Sequence, residues 1–148
     1  MFRQPDSHRA FSLLELLVVM ALGSILLGVA LFNAKDYENQ ALTAASSFAG
    51  YLKTVRAKAL ATTYAYTLSA ESPTQVVAKY SSTCSSETQT DDIAMNFILP
   101  AGTQFSEIPW SLCFTARGLS DSSQSISIQD HSYAKTVQIV LGGAVRVL

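Results

Sequence analysis

Arg9-Ala10-Phe11-Ser12-Leu13-Leu14-Glu15-Leu16-Leu17 opens an apolar run that continues to Phe32. From Phe11 to Phe32 there are 22 residues, and only Ser12, Glu15 and Ser24 among them are polar. As an α-helix such a segment is roughly 33 Å long, against a bilayer core of about 30 Å. The exception within it is Glu15, a carboxylate one turn inside a membrane-length helix. Placing an acid there costs about 2.5–3.5 kcal/mol on insertion scales, so a partner or a function is expected for it.

Three plainer readings compete. Ser12-x-x-Glu15 fits a capping box, in which Glu15 reaches back to the backbone at the helix start; this is compatible with an acid awaiting a partner. A cleaved secretory signal would end a shorter apolar core at a small-residue site, whereas this run is longer and lacks a clear terminal A-x-A. A signal anchor that never polymerises is the third.

A short basic leader, a small residue, then F-S-L-L-E-L-L and about twenty apolar residues resembles the N-terminus of type IV pilins and type II secretion pseudopilins. The resemblance implies cleavage by prepilin peptidase between Ala10 and Phe11, and methylation of the new N-terminal Phe11. It implies an assembly role for Glu15 and retention of the apolar helix in a filament core. Other pilin or pseudopilin subunits and an inner-membrane assembly platform are the implied partners. The family usually has glycine before the cut, and here Ala10 stands in its place. Phe32 stands where a proline is common, so no proline kink is expected.

The 148 residues fit one domain, with little more than a hundred beyond the membrane segment. The net charge is −1; without Arg3, Asp6 and Arg9 of the leader it becomes −2, from eight basic and ten acidic residues. That balance gives no nucleic-acid footprint. Arg3 and Arg9 precede the apolar run, whereas Lys35 is followed by Asp36 and Glu38. The positive-inside rule therefore places the N-terminus in the cytoplasm and everything after residue 33 outside, in a single pass of the inner membrane.

Tyr37, Ala41, Ala45, Phe48, Leu52, Val55 and Ala59 recur at steps of four and three, one stripe of an amphipathic helix. With no proline between residues 6 and 72, the simplest reading is one helix from about Phe11 to about Thr62. The expected fold is α+β and pilin-like. Residues 1–10 are the leader, 11–33 the transmembrane or filament-core half of the helix, 34–62 its amphipathic half, and 63–148 a β-rich antiparallel head.

After Thr62 the period becomes two. Tyr64, Tyr66 and Leu68 mark a strand ended by Ser72-Pro73, and residues 74–80 a second strand that forms a hairpin with it. Residues 81–92 are polar and read as an exposed loop. Ile93, Met95, Phe97 and Leu99 form a further alternating set. Residues 104–108 and 111–116 read as short strands around Pro109, and Ile126 and Ile128 mark another.

At the C-terminus Val137, Ile139, Val145 and Val147 should share a buried face. A two-residue Gly142-Gly143 loop would put Arg146 on that face. A three-residue loop, 141–143 with Gly143 left-handed, pairs Ile139 with Val145 and Val137 with Val147 and sets Arg146 opposite Gln138. The three-residue loop is expected. C-F-T-A-R-G, a polar turn, I-S-I and T-V-Q-I-V-L-G-G-A-V-R-V together resemble, more weakly, the β-rich heads of H-type pseudopilins and of FimT- and FimU-type minor pilins.

Other chemistry is sparse. Cys84 and Cys113 both fall on the predicted outer side, where a disulfide is expected in an oxidising compartment; two free thiols are the alternative. No Cys-x-x-Cys or Cys/His ligand spacing occurs, so neither a metal nor a cofactor is expected. His131 stands alone beside Asp130, no G-x-S-x-G elbow accompanies the many serines, and Asp91-Asp92 reads as a solvated pair. No enzymatic activity is expected. The function expected is that of a minor pilin or pseudopilin of a pilus, a type II secretion filament or a DNA-uptake filament, later extracellular or periplasmic. DNA-binding members of the FimT type carry an arginine-rich C-terminal motif; here only Arg146 stands in Gly142-Gly143-Ala144-Val145-Arg146.

Overall fold

The computed structural model describes residues 13–34 and 39–148, with side chains in the first helix as far as Ser24. They fall into two compact units, divided before Asn39. In the first, helix α1 runs Leu13–Ala34. In the second, helix α2, Gln40–Thr62, lies against two antiparallel sheets. The architecture is α+β, a helix packed on an antiparallel β head.

The start of α2 corrects the single helix expected from about Phe11 to about Thr62. Asn39 is not helical (φ −91°, ψ 78°), and its side-chain oxygen accepts the Leu42 N–H at 2.9 Å. The Ala41 N–H donates at 3.0 Å to Asp130, which arrives from 89 residues further along the chain. Two of the donors that every helix N-terminus leaves without a partner are met in this way. The amphipathic helix therefore starts at Gln40 rather than at residue 34; residues 35–38 lie outside the described ones.

One stripe of α2 is buried: Ala41, Ala44, Ala45, Phe48, Ala49, Leu52, Val55 and Ala59. The alanines bring the helix axis close to the sheets, and Phe48, Leu52 and Val55 supply the bulk. The helix stops at Thr63, which takes the left-handed conformation (φ 58°) usual for a glycine at this position.

The first sheet contains β1 (Ala65–Ser72), β2 (Gln75–Ser81), β3 (Thr90–Asp91), β4 (Phe97–Ile98) and β6 (Trp110–Phe114). Its order is β3-β2-β1-β6, with β4 also on β2. The hairpin of β1 and β2 forms as expected, with an irregularity between Ser69 and Ser72. Tyr66, Leu68, Ala70, Val76, Ala78, Leu112 and Phe114 turn into the core.

The alternating set from Ile93 to Leu99 is not one strand. Ile93–Met95 form a 3₁₀ turn, with Ile93 79% exposed. The register shows why. Asp91 pairs with Lys79 and Phe97 with Val76, so three residues must leave the ladder between them. The Asn96 side chain fills the gap by accepting the Ala78 N–H, while the Ala78 carbonyl accepts the Asp92 N–H.

The second sheet has the order β5-β7-β8-β9, with β5 Gln104–Phe105, β7 Gln124–Gln129, β8 Ala134–Ile139 and β9 Val145–Val147. In the last hairpin Val137 pairs with Val147, Gln138 with Arg146 and Ile139 with Val145, around a turn with Gly143 at φ 74°. This is the register of the three-residue loop. The inner faces of both sheets meet α2 in one core that includes Phe105, Ile126, Ile128, Val137 and Ile139.

Candidate functional site

The first turns of α1 carry the residues singled out for assembly. Glu15 lies on the first turn, and it is exposed. Around it the apolar side chains are exposed on every side of the helix, from Leu13 at 77% to Val18 at 49%, with Leu14, Leu16, Leu17, Val19, Met20 and Leu22 between. A helix that is apolar all round belongs in lipid or among other helices, because no polar face remains to turn to water. The Ser24 hydroxyl donates to the Met20 carbonyl at 2.7 Å. Among the described residues no helix is long and apolar enough to cross a membrane. The described side chains span about 18 Å of helix, and the segment 11–33 extends beyond them on both sides. The expected cleavage pair Ala10 and Phe11, and the candidate capping residue Ser12, lie outside the described residues.

The head braces its loops against α2 and β6. Cys84 and Cys113 form a disulfide, with Cα atoms 5.8 Å apart and a sequence separation of 29, and so anchor the polar loop to β6. Lys58 on α2 meets Asp92 at 2.6 Å, and the Tyr66 hydroxyl donates to the same carboxylate at 3.3 Å. The hydrogen bond to Asp92 holds the Lys58 ammonium above its ordinary pKa. Asp92 thus ties the helix to the edge of the first sheet, while its neighbour Asp91 lies 3.7 Å from Lys79. The two acids diverge, and among the described residues no group of three His, Cys, Asp or Glu side chains could hold a metal.

Arg56 braces the second sheet to α2. Its Nε donates to the Gly118 carbonyl at 2.8 Å, and a terminal nitrogen donates to the Gly142 carbonyl at 3.2 Å. A Cβ at Gly143 would collide with the Gly118 carbonyl and with Arg56, so only glycine closes this corner. Asp130 accepts the N–H groups of Ser132 and Tyr133, both at 2.7 Å, in addition to that of Ala41. These backbone donors, with Ser132 and Tyr133 foremost, hold its carboxyl below the ordinary value. His131 follows in the same exposed turn. Arg146 donates to Gln138 at 2.7 Å.

Sequence reading singled out Glu15 and the two cysteines but missed Asn39, Arg56, Lys58 and the partnership of Asp130 with α2. Asn39 had a local signal, an N-cap residue just before an apolar stripe. Two polar atoms, Tyr51 Oη and Trp110 Nε1, are buried without a hydrogen-bond partner among the described residues. Burial, with a smaller contribution from the charge of Asp92, pushes the Tyr51 phenol upward.

Comparison with known proteins bears on both units. Residues 6–31 match the prokaryotic N-terminal methylation motif. No curated protein matches the sequence. Among solved structures, the minor pseudopilin EpsH from the type 2 secretion system of Vibrio cholerae superposes with a TM-score of 0.53. The match covers 74% of this chain and 97% of that one at 15% identity, a likeness of fold. The chain is pilin-like, a prokaryotic N-terminal methylation motif joined to the fold of a minor pseudopilin.

Proposed function

We propose that this protein is a structural subunit, a minor pilin or pseudopilin, of a type IV pilus, a type II secretion filament or a DNA-uptake filament. One observation carries the reading: the first turns of α1 are apolar on all sides and uncovered, with a single carboxylate among them, inside a matched methylation motif. The precursor sits in the inner membrane, with leader inside and head outside. Prepilin peptidase cuts between Ala10 and Phe11, and Phe11 is methylated. On assembly by the inner-membrane platform, Glu15 pairs with the Phe11 amine of a neighbouring subunit.

In a low-dielectric bundle of helices a lone carboxylate is penalised, whereas a pair is attractive and fixes the register. Glu15 acts on this reading as a checkpoint, and Leu13, Leu14, Leu16 and Leu17 supply the bulk of the affinity. No step in the mechanism calls for a catalytic group in the head.

The N-terminus and intact mass of protein extracted from its native membrane test this. A chain that starts at Phe11 with one added methyl group supports pilin-type processing, and a mass lower by two hydrogens accords with the disulfide. A chain that retains residues 1–10, or is cut after the apolar run, overturns the filament reading. Glu15→Ala should insert normally and fail to assemble; normal incorporation would remove the checkpoint.

A further inference from the structure

A pit of about 410 Å³ lies where the two sheets part, between β6, β7 and the connection before β6. Glu107, Pro109, Trp110, Ser111, Gln124 and Ser125 line it, above the buried side chain of Ile126. We propose that this pit receives an arginine from an exposed loop of a neighbouring filament subunit. The proposal rests on the filament reading for the identity of the partner, and on the pit alone for its chemistry.

The strands explain the opening. Near Phe114 and Ser120, β6 and the approach to β7 are bridged like a hairpin, and Asp121 bonds to Cys113 through both its N–H and its carboxylate. They then diverge into separate sheets. Cys113 directs its N–H and carbonyl to this edge, so alternation directs those of Ser111 the same way. Gln124 caps the Ser111 carbonyl at 2.6 Å, and alternation leaves the Ser111 N–H on the same edge. On the other wall Ser127 accepts the Ser106 N–H from the end of β5. Ser125, two residues earlier, turns its N–H and carbonyl to the same side, where β5 no longer runs.

The wall chemistry selects the occupant. Glu107 supplies a carboxylate that has no ion-pair partner among the described residues. Ser125 supplies a carbonyl, and Trp110 and Pro109 supply flat apolar surface. No basic side chain lines the pit. A guanidinium suits this set: it is planar and weakly hydrated, it stacks on aromatic rings, and its fork of donors matches a carboxylate. The Ser111 N–H, on the same edge, is placed to donate to a main-chain carbonyl of the loop that carries the arginine. An ammonium ion, compact and strongly hydrated, makes less use of the flat walls.

Trp110 is the chain's single tryptophan, so its fluorescence reports on this pit in the intact protein. The full chain in detergent is titrated with the peptide acetyl-Gly-Arg-Gly-amide. A saturable change in emission is expected, weakened about fivefold in Glu107→Gln, the order of an ion pair at a partly exposed site. The corresponding lysine peptide should bind more weakly and the glutamate peptide should not bind. No response, a response unchanged in Glu107→Gln, or equal responses to the lysine or glutamate peptide would overturn the proposal. The intact-mass measurement tests the filament reading separately, so either idea can fail alone.

Discussion

Helices α1 and α2 are nearly equal in length, 22 and 23 residues, yet they solve opposite problems. Every described leucine, valine and methionine side chain of α1 is exposed, whereas α2 buries a single stripe and presents Lys53, Thr54 and their neighbours to water. A helix of this length gains most of its stability from what its apolar face meets. The head supplies that surface for α2. For α1, on the filament reading proposed above, it comes from lipid or from other subunits. One helix is therefore an internal component of a fold, and the other, on that reading, is a binding element whose surroundings determine its state.

Substitutions can break this contrast. Phe48→Ala should have the largest effect, because Phe48 is fully buried and packs against Phe97, Phe105 and Trp110. A loss of about 3–5 kcal/mol is expected in denaturant unfolding followed by Trp110 fluorescence. Removing the disulfide in Cys84→Ala/Cys113→Ala should cost about 3–4 kcal/mol in the same measurement on the chain-entropy estimate. A smaller loss, of about 1 kcal/mol, is expected for Asn39→Ala, which frees the Leu42 N–H. If it leaves stability unchanged, α2 is held by Asp130 alone.

Asp130 gives a dependence on pH. Its carboxyl is held below the ordinary value of 3.8, so its contribution is full above that value and is lost as the pH falls through the folded-state value. Asp130→Asn should therefore flatten the acid limb of the stability curve below about pH 4 and leave its shape at neutral pH unchanged. Leu16→Ala should have the smallest effect, below about 0.5 kcal/mol on unfolding of the head, because Leu16 is 60% exposed. The same substitution should weaken assembly. A clear loss of head stability would instead show that α1 and the head are energetically coupled.

How much could be read from sequence varied with how local the deciding contact was. The C-terminal hairpin was fully legible, because alternation on both strands and Gly143 left one register that kept Arg146 off the apolar face. The buried stripe of α2 was equally plain in the spacing of Phe48, Leu52 and Val55. The start of α2 was not, since half of its cap comes from Asp130, remote in sequence. Ile93 to Leu99 misled because their alternation is genuine; the chain leaves the ladder because the Asn96 side chain can replace a backbone acceptor. Glu15 stood out at once as a charge in an apolar run. The wall of the pit could not be seen, because it depends on where β6 and β7 separate.

That excursion at Ile93–Met95 has a consequence for crowding. The outer edge of β2 meets two fragments of two residues each, β3 and β4, with a turn projecting between them. Among the described residues no long continuous strand edge is left on this side to template another strand. Heads of this kind can stand shoulder to shoulder at high local concentration without zipping together through the β3 and β4 side of the first sheet.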